Sequence, residues 1–475
     1  MPSFYVQNFG CRATQADGAA IERQFRERGF SRADETGDAG IVVLNTCTVT
    51  ASADQDARAA IRRIHRENPA CQIVVTGCYA QRAPEEIAAL TGVSRVIGNS
   101  HKHDLAEIVI GKSSFVPMSR LVANDQRLPA NDAIFVSDIF AHTELLSAPV
   151  FNAGNERTRP NLKVQDGCDN RCSFCVIPSV RGQSRSLPLL KILSEVEALV
   201  VSGYREIVIS GINLGRWGRD LGVSSQLSAL SQPGIAAGSG ELPTTNGQGL
   251  RFEDLVRAIL TETSLEKLRI SSVEPMDWSD ELIRMMADSP RIAKHAHVPM
   301  QSGSDRVLRL MHRKYRPWHY REKIEKIRAA MPMAAIGADV MVGFPGETDA
   351  DFEETRRLID DLPFTYLHVF TYSARPGTPA AAMPNHVPVN IARDRNRILR
   401  ALAEMKKLAF MQDLVGKPVQ AITLNSSQRR PTGDFTEALT DNFLKMLVPG
   451  RYAANHWVQA RPEQIVDGVL VSQSC

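Results

Sequence analysis

The 475-residue chain is notable first for what it has little of. No run approaches the roughly 18 consecutive apolar residues that a membrane span needs. The opening MPSFYVQNFG has no basic stretch followed by an apolar one, so no secretory signal is expected. Neither charge sign dominates: the net charge of +3 is too small to single out a nucleic-acid partner by itself. Cysteine is sparse, eight residues in all, but unevenly placed. In DGCDNRCSFCVIP (166–178) three cysteines fall as C-x3-C-x2-C, and none follows until Cys475. The nearest histidines are His142 and His295, so the fourth ligand that a structural zinc site wants is missing locally. The expected compartment is the cytoplasm, where thiols stay reduced and clustered cysteines point to metal binding or catalysis.

What is present is alternation. FYVQNF, IVVLN (41–45) and QIVVTG (72–77) read as strands, with helices at Thr14–Arg28, Ala51–Arg66 and near Pro84–Leu90 between and after them. Near-continuous apolar strands between amphipathic helices predict a doubly wound parallel α/β domain over residues 1–111. Periodicity fades over 112–159, read as a linker with a strand at AIFVSDIF (133–140). A second alternation over 160–388 has strands at NLKVQ, EIVIS (206–210), KLRISS (267–272), HAHVP (295–299), AIGADVMVG (335–343) and YLHVFTYS (366–373). Six βα units in succession predict a partial (β/α)6 barrel. The Gly/Ser/Pro-rich stretch 222–249 reads as a flexible insertion in it. A helix over 389–412 leads to residues 413–475, whose short strands and turns fit a small OB-like β-barrel.

Cys11, Cys47 and Cys78 each come just after a predicted parallel strand, at the edge where open α/β sheets place ligands. Cys71 precedes its strand and is set aside, as is the terminal Cys475. Cys168, Cys172 and Cys175 follow the first strand of the second alternation, again at a C-terminal rim. Three thiolates on an iron–sulfur cubane leave one iron open for a substrate. Zinc and ordinary buried thiols are the competing readings. The stretch RLMHRKYRPWHYREKIEKIR (309–328) carries eight Lys or Arg and the aromatics Tyr315, Trp318 and Tyr320. It reads either as a solvated helix face or as an RNA-facing strip whose aromatics stack bases.

The C-x3-C-x2-C spacing, with Phe174 before its last cysteine, resembles the radical S-adenosylmethionine (SAM) superfamily. Three N-terminal cysteines, a barrel and a small C-terminal β-barrel together resemble the methylthiotransferases, whose last module is the RNA-binding TRAM domain. NTCTVT (45–50), VVTGCYAQ (74–81), KVQDGC (163–168), GINLGRWGRD (211–220), HVPMQSGSDRVL (297–308) and VGFPGET (342–348) look most like one branch. That branch modifies N6-threonylcarbamoyladenosine, 3′ of the anticodon at position 37 of tRNA. Sister branches act on isopentenyladenosine in tRNA or on a ribosomal-protein aspartate. The match departs at FGCRATQAD, where relatives commonly carry Lys and Asn, at Ser179, where Tyr is common, and in the long insertion.

The resemblance implies two 4Fe–4S clusters, one on Cys168, Cys172 and Cys175 and one on Cys11, Cys47 and Cys78. It also implies two SAM molecules per turnover: one is cleaved to a radical that takes hydrogen from adenine C2, and the other supplies the methyl group. Phe174, Ser210, Gly211, Asn213, Ser272, Glu274, Gln301, Asp339 and Gly343 are expected to line SAM, each with a turn or cap role as the competing reading. Partners would be a tRNA anticodon stem-loop and a low-potential electron donor such as flavodoxin or ferredoxin. No membrane is involved, the sulfur source is unknown, and the chain is expected to be a monomer. The 413–475 module has six Lys or Arg against six Asp or Glu, which weakens phosphate attraction there. A non-catalytic iron–sulfur RNA-binding or redox-sensing protein is the reading from a different class. It would normally use four thiolates per cluster.

Overall fold

The computed structural model describes residues 2–111, 133–142, 145–146, 159–221, 249–430 and 433–472. Most of the predicted linker and insertion, and Cys475, lie outside the described residues. The chain divides into two compact units. The first comprises Met1–Val150, Gln165–Ser186 and Ser373–Ala381, and the second Phe151–Val164, Leu187–Tyr372 and Ala382–Cys475.

The first unit is built on a parallel sheet of β1 (Ser3–Asn8), β2 (Ser31–Arg32), β3 (Ile41–Thr46), β4 (Gln72–Gly77), β5 (Val93–Ile97) and β6 (Ile134–Phe135), in the order β2-β1-β3-β4-β5-β6. Its central strands are apolar because both faces are covered. Val42, Leu44, Ile73 and Val75 pack on Ala57, Ile61 and Ile64 of the helix Ala51–Glu67. The alternate residues Val43 and Val74 pack on Ile21 and Phe25 of the helix Arg12–Glu27. The stretch AIFVSDIF is a strand only at Ile134–Phe135, and a short 3-10 turn occupies Ile139–Ala141. The Asp138 carboxylate accepts from Phe140 N, so the chain turns where the apolar pattern continues.

NLKVQ is split. Asn161–Lys163 (β7) joins the second unit, whereas β8 (Gln165–Asp166) pairs with β9 (Arg185–Ser186) in the first. The second unit contains β7, β10 (Glu206–Ser210) and β11 (Lys267–Ile270) as one parallel sheet, and β12 (His295–His297), β13 (Ala335–Val342) and β14 (Tyr366–Thr371) as another. The bridges Leu268↔Ile292 and Ser272↔His297 carry the parallel run from one sheet to the next, giving an open six-stranded (β/α) succession. The helix Val389–Gln412 then leads into β15 (Val419–Arg430), β16 (Gly433–Thr440), β17 (Lys445–Pro449), β18 (Trp457–Ala460), β19 (Pro462–Val466) and β20 (Val469–Ser472). These form a mixed sheet in the order β18-β15-β16-β17-β20-β19.

A buried ion pair joins this last sheet to the barrel. Arg269 on β11 donates to Glu206 on β10 at 2.6 Å and to the Asp441 carbonyl at 3.1 Å, and its guanidinium lies over the Phe443 ring. Burial alone would raise the Glu206 carboxyl, but Arg269 and Arg159 more than reverse it and hold the group below the usual range. Because the folded-state value is depressed, this stabilisation exists above the unfolded carboxyl range and is lost as pH falls through the folded value. Glu206→Ala strands Arg269 without its carboxylate and is expected to cost about 3–5 kcal/mol in urea denaturation. A loss below about 1 kcal/mol would match an exposed pair instead.

Candidate functional site

The neighbouring strands β1, β3 and β4 each end beside a cysteine. Register pairs Asn8 with Asn45 and Thr46 with Gly77, so the three carboxyl ends are level. Cys11 is the exposed residue before the helix Arg12–Glu27, Cys47 follows β3 directly, and Cys78 opens the short helix Cys78–Arg82. That helix, entered where Gly77 turns the chain at φ +99, is additional to the one predicted near Pro84, which is present as Pro84–Ala88. Cys47 and Cys78 are buried. Gly10, at φ +90, permits the approach of the first loop: a Cβ there would sit 2.8 Å from Cys47 Sγ. The loop after Cys47 is fastened by Thr48 and Asp54, which accept from Arg82, while Arg375 reaches the same pair.

Burial, then the neighbouring Cys78 and Cys11, pushes the Cys47 thiol up to about 11. Asn99 Nδ2 lies 3.6 Å from Cys78 Sγ, and Cys11 Sγ lies 3.4 Å from Thr14 Oγ1.

The second triplet lies in the same unit. Gly167 precedes it at φ +71, where an added Cβ would stand 1.8 Å from the Gln183 carbonyl oxygen, so only glycine fits. Cys168 N donates to Gly182 O at 3.1 Å, Cys175 N to Cys172 O at 3.1 Å, and Asn170 N lies 3.4 Å from Cys168 Sγ. All three cysteines are half-buried, as is Phe174. Val176, Ile177 and Val180, just past the triplet, pack against Cys78. Thus the two triplets share one compact body.

A residue that sequence reasoning missed ties them together. Arg181, fully enclosed, donates to both Asp166 carboxylate oxygens at 2.9 Å and to Asp17 at 3.0 Å. Lys102 meets the same Asp17 at 3.0 Å. Burial opposes the Arg181 charge, but Asp166, Cys78, Asp17 and Cys11 raise its pKa well above the ordinary value. The only sequence signal was an Asp before the cysteines and an Arg six residues after them.

The remaining SAM candidates belong to the second unit and have mixed surroundings. Ser210 and Asn213 are buried, and Ser210 Oγ has no hydrogen-bond partner among the described residues. Gly211 follows β10, and Ser272 is bridged to His297. Glu274 is ion-paired with Arg313. Gln301 adopts φ +64 and bonds through its backbone to Asp339 and Met341. Gly343 lets Ala392 of the helix Val389–Gln412 approach: a Cβ there would meet the Ala392 Cβ at 2.6 Å. Asp339 lies 3.4 Å from His297.

The aromatic strip needs correction. Tyr315 and Tyr320 are buried, with hydroxyls donating to the carbonyls of Met300 and Val298, so neither can stack a base. Trp318 alone of the three is exposed. The strip is the helix Pro317–Ala330 and the turn before it, with Tyr320, Ile324 and Ile327 facing inward at helical spacing.

A profile described as uncharacterized protein family UPF0004 matches residues 3–98, and the radical SAM superfamily profile matches residues 162–359. The threonylcarbamoyladenosine tRNA methylthiotransferase MtaB of Bacillus subtilis is 34% identical over 450 residues, covering 95% of this chain and 91% of that one. The protein of the same name from Aquifex aeolicus is 32% identical, covering 92% and 94%. A tRNA-2-methylthio-N(6)-dimethylallyladenosine synthase of Novosphingobium aromaticivorans is 33% identical, covering 88% and 86%. Among solved structures, the radical SAM methyltransferase TsrM of Kitasatospora setae has a similar fold, with TM-score 0.51 and 14% identity over 80% of this chain and 77% of that one.

The gathered state of the trio has a chemical consequence. In the metal-free chain at pH 8, Cys47, with its thiol pushed up to about 11, should hold about a hundredfold less thiolate than an unperturbed cysteine. Iodoacetamide labelling followed by peptide mass spectrometry should therefore modify Cys11 long before Cys47. Equal rates would contradict the arrangement.

Proposed function

Because the chain belongs to the radical SAM methylthiotransferase family, we propose that it installs a methylthio group at C2 of N6-threonylcarbamoyladenosine at position 37 of tRNA. Membership brings a 4Fe–4S cluster and SAM as cofactors. We assign that cluster to Cys168, Cys172 and Cys175, and a second to Cys11, Cys47 and Cys78. The observation that carries the reading is the placement of both cysteine triplets in one compact unit, linked by Arg181.

The donor sets fit such groups. Each offers three thiols and so leaves one cluster iron for an outside ligand. A backbone N–H approaches Cys168 Sγ, and the buried Arg181 cation lies in the same unit as both triplets. Bound together with SAM, the clusters would supply the hydrogen-abstracting radical and the sulfur that no side chain can provide.

The chain's own residues hold and orient. Gly167 and Arg181 fix the triplet loop at its two ends, and Gly10 brings the Cys11 loop onto Cys47. Ser210, Gly211, Asn213, Ser272 and Gln301, with Phe174, are proposed to line SAM. The electron donor would be a low-potential protein such as flavodoxin or ferredoxin, and the setting the cytoplasm. No helix among the described residues is long and apolar enough to cross a membrane.

The substrate is tested by nucleoside mass spectrometry of tRNA from a deletion strain without a redundant enzyme. Loss of methylthio-threonylcarbamoyladenosine, with its unmethylthiolated parent accumulating and methylthio-isopentenyladenosine unchanged, is expected. The opposite pattern would move the chain to the isopentenyladenosine branch. For the second cluster, anaerobic reconstitution should load about eight irons per chain, falling to about four in Cys47→Ala. A wild-type value of about four would remove it.

A further inference from the structure

We propose that His297, Asp339 and His368 form a mononuclear binding site for a divalent transition metal, separate from the cysteine triplets. One face of β12–β13–β14 carries Ala296, Ile336, Ala338 and Val340, all buried. The other face carries His297, Asp339 and His368, brought side by side by register: His297 pairs with Gly337, two residues before Asp339, and Asp339 pairs with His368. Gly337 has no side chain to crowd this face, and the Tyr366 ring fills the space where its Cβ would be.

The three ligand atoms lie within 4.8 Å of one another, the one such trio of metal-ligating side chains among the described residues. His297 Nε2 stands 3.4 Å from Asp339 Oδ1. Ligands at 2.0–2.2 Å from one tetrahedral ion are separated by about 3.4 Å. His297 is buried, and among the described residues its Nε2 has no hydrogen-bond partner, only the Asp339 carboxylate at ion-pair distance, so a bound cation would satisfy it. Asp339 is about a quarter exposed and His368 is exposed, so the trio opens on one side. Two imidazoles and one carboxylate suit zinc or ferrous iron rather than magnesium or calcium. Three protein ligands leave a position for an oxygen or nitrogen donor from outside.

The test uses the full chain with its iron–sulfur clusters loaded, dialysed anaerobically against buffered micromolar zinc. The expected result is one zinc per chain, and zinc-edge X-ray absorption showing a shell of nitrogen and oxygen only. His368→Ala and Asp339→Asn should weaken binding by about tenfold or more, since even an outer partner of a metal ligand commands that much. Cluster iron content and circular dichroism, unchanged in both variants, would show that they fold. Absence of zinc binding, a sulfur shell at about 2.3 Å, or undiminished binding in both folded variants would each overturn the proposal. Vacant cysteine triplets would add sulfur-bound zinc and lower the iron content together, so failure of the cluster assignment is distinguishable from failure here, where iron is full and no nitrogen and oxygen shell appears.

Discussion

The geometry of the first unit depends on one buried cation. Arg181 closes the triplet loop on itself, because its guanidinium grips Asp166 just before the first cysteine while its backbone ends the helix just after the last. The same guanidinium holds Asp17, from the helix that Cys11 introduces, and Asp17 in turn neutralises Lys102. Two carboxylates and two cations are thus buried in one connected set. Such charges are costly to desolvate, and removing one member of a set is far worse than never having built it. What the set secures here is position. Nη1 meets both Asp166 oxygens and Nη2 meets Asp17, so the rigid guanidinium plane holds two carboxylates at a set angle, which the single ammonium of a lysine does not.

The same cation alters the chemistry of the sulfurs. A thiol buried beside two others resists ionisation, since burial penalises its thiolate and a neighbouring thiolate would repel it. Cys47 shows this: burial and its two cysteine neighbours outweigh the help of the Val49 N–H and Arg181. A single guanidinium already engaged by two aspartates does not offset that burial. Cys47 is therefore poorly suited to act as a bare nucleophile and well suited to a multivalent cationic partner, which removes the proton as it binds. That reasoning supports the second-cluster assignment independently of any relative.

Much of this was legible in sequence. IVVLN and QIVVTG announce their strands because a parallel strand covered on both faces has nothing polar to hide. A cysteine immediately after each then marks the ligand-bearing edge. What could not be read depends on pairing between distant segments. NLKVQ looks like one strand, yet Val164 N reaches Ser210 while Gln165 pairs across to Ser186, so the segment changes sheets within two residues. Tyr315 and Tyr320 sit among basic residues and look exposed, but helical spacing turns Tyr320 inward with Ile324 and Ile327. Gly343 resembles a ligand-approach glycine, whereas its missing Cβ admits a helix that begins 46 residues later. Arg181 was invisible because its partners are 15 and 164 residues away.

The polar face of β12–β14 shows why alternation alone understates function. His-Ala-His and Leu-His-Val look like ordinary half-exposed strands, and each histidine taken singly would be satisfied by water or a neighbouring hydroxyl, as His295 is by Tyr366. Register removes that option for His297. It pairs with Gly337, over which the Tyr366 ring lies, and the next step along β13 delivers a carboxylate opposite a second imidazole. A core built only for stability would place an apolar side chain there, as the other face of the same three strands does at Ala296, Ala338 and Val369. The contrast between the two faces is the physical reason for treating the histidine–aspartate trio as a site rather than as packing.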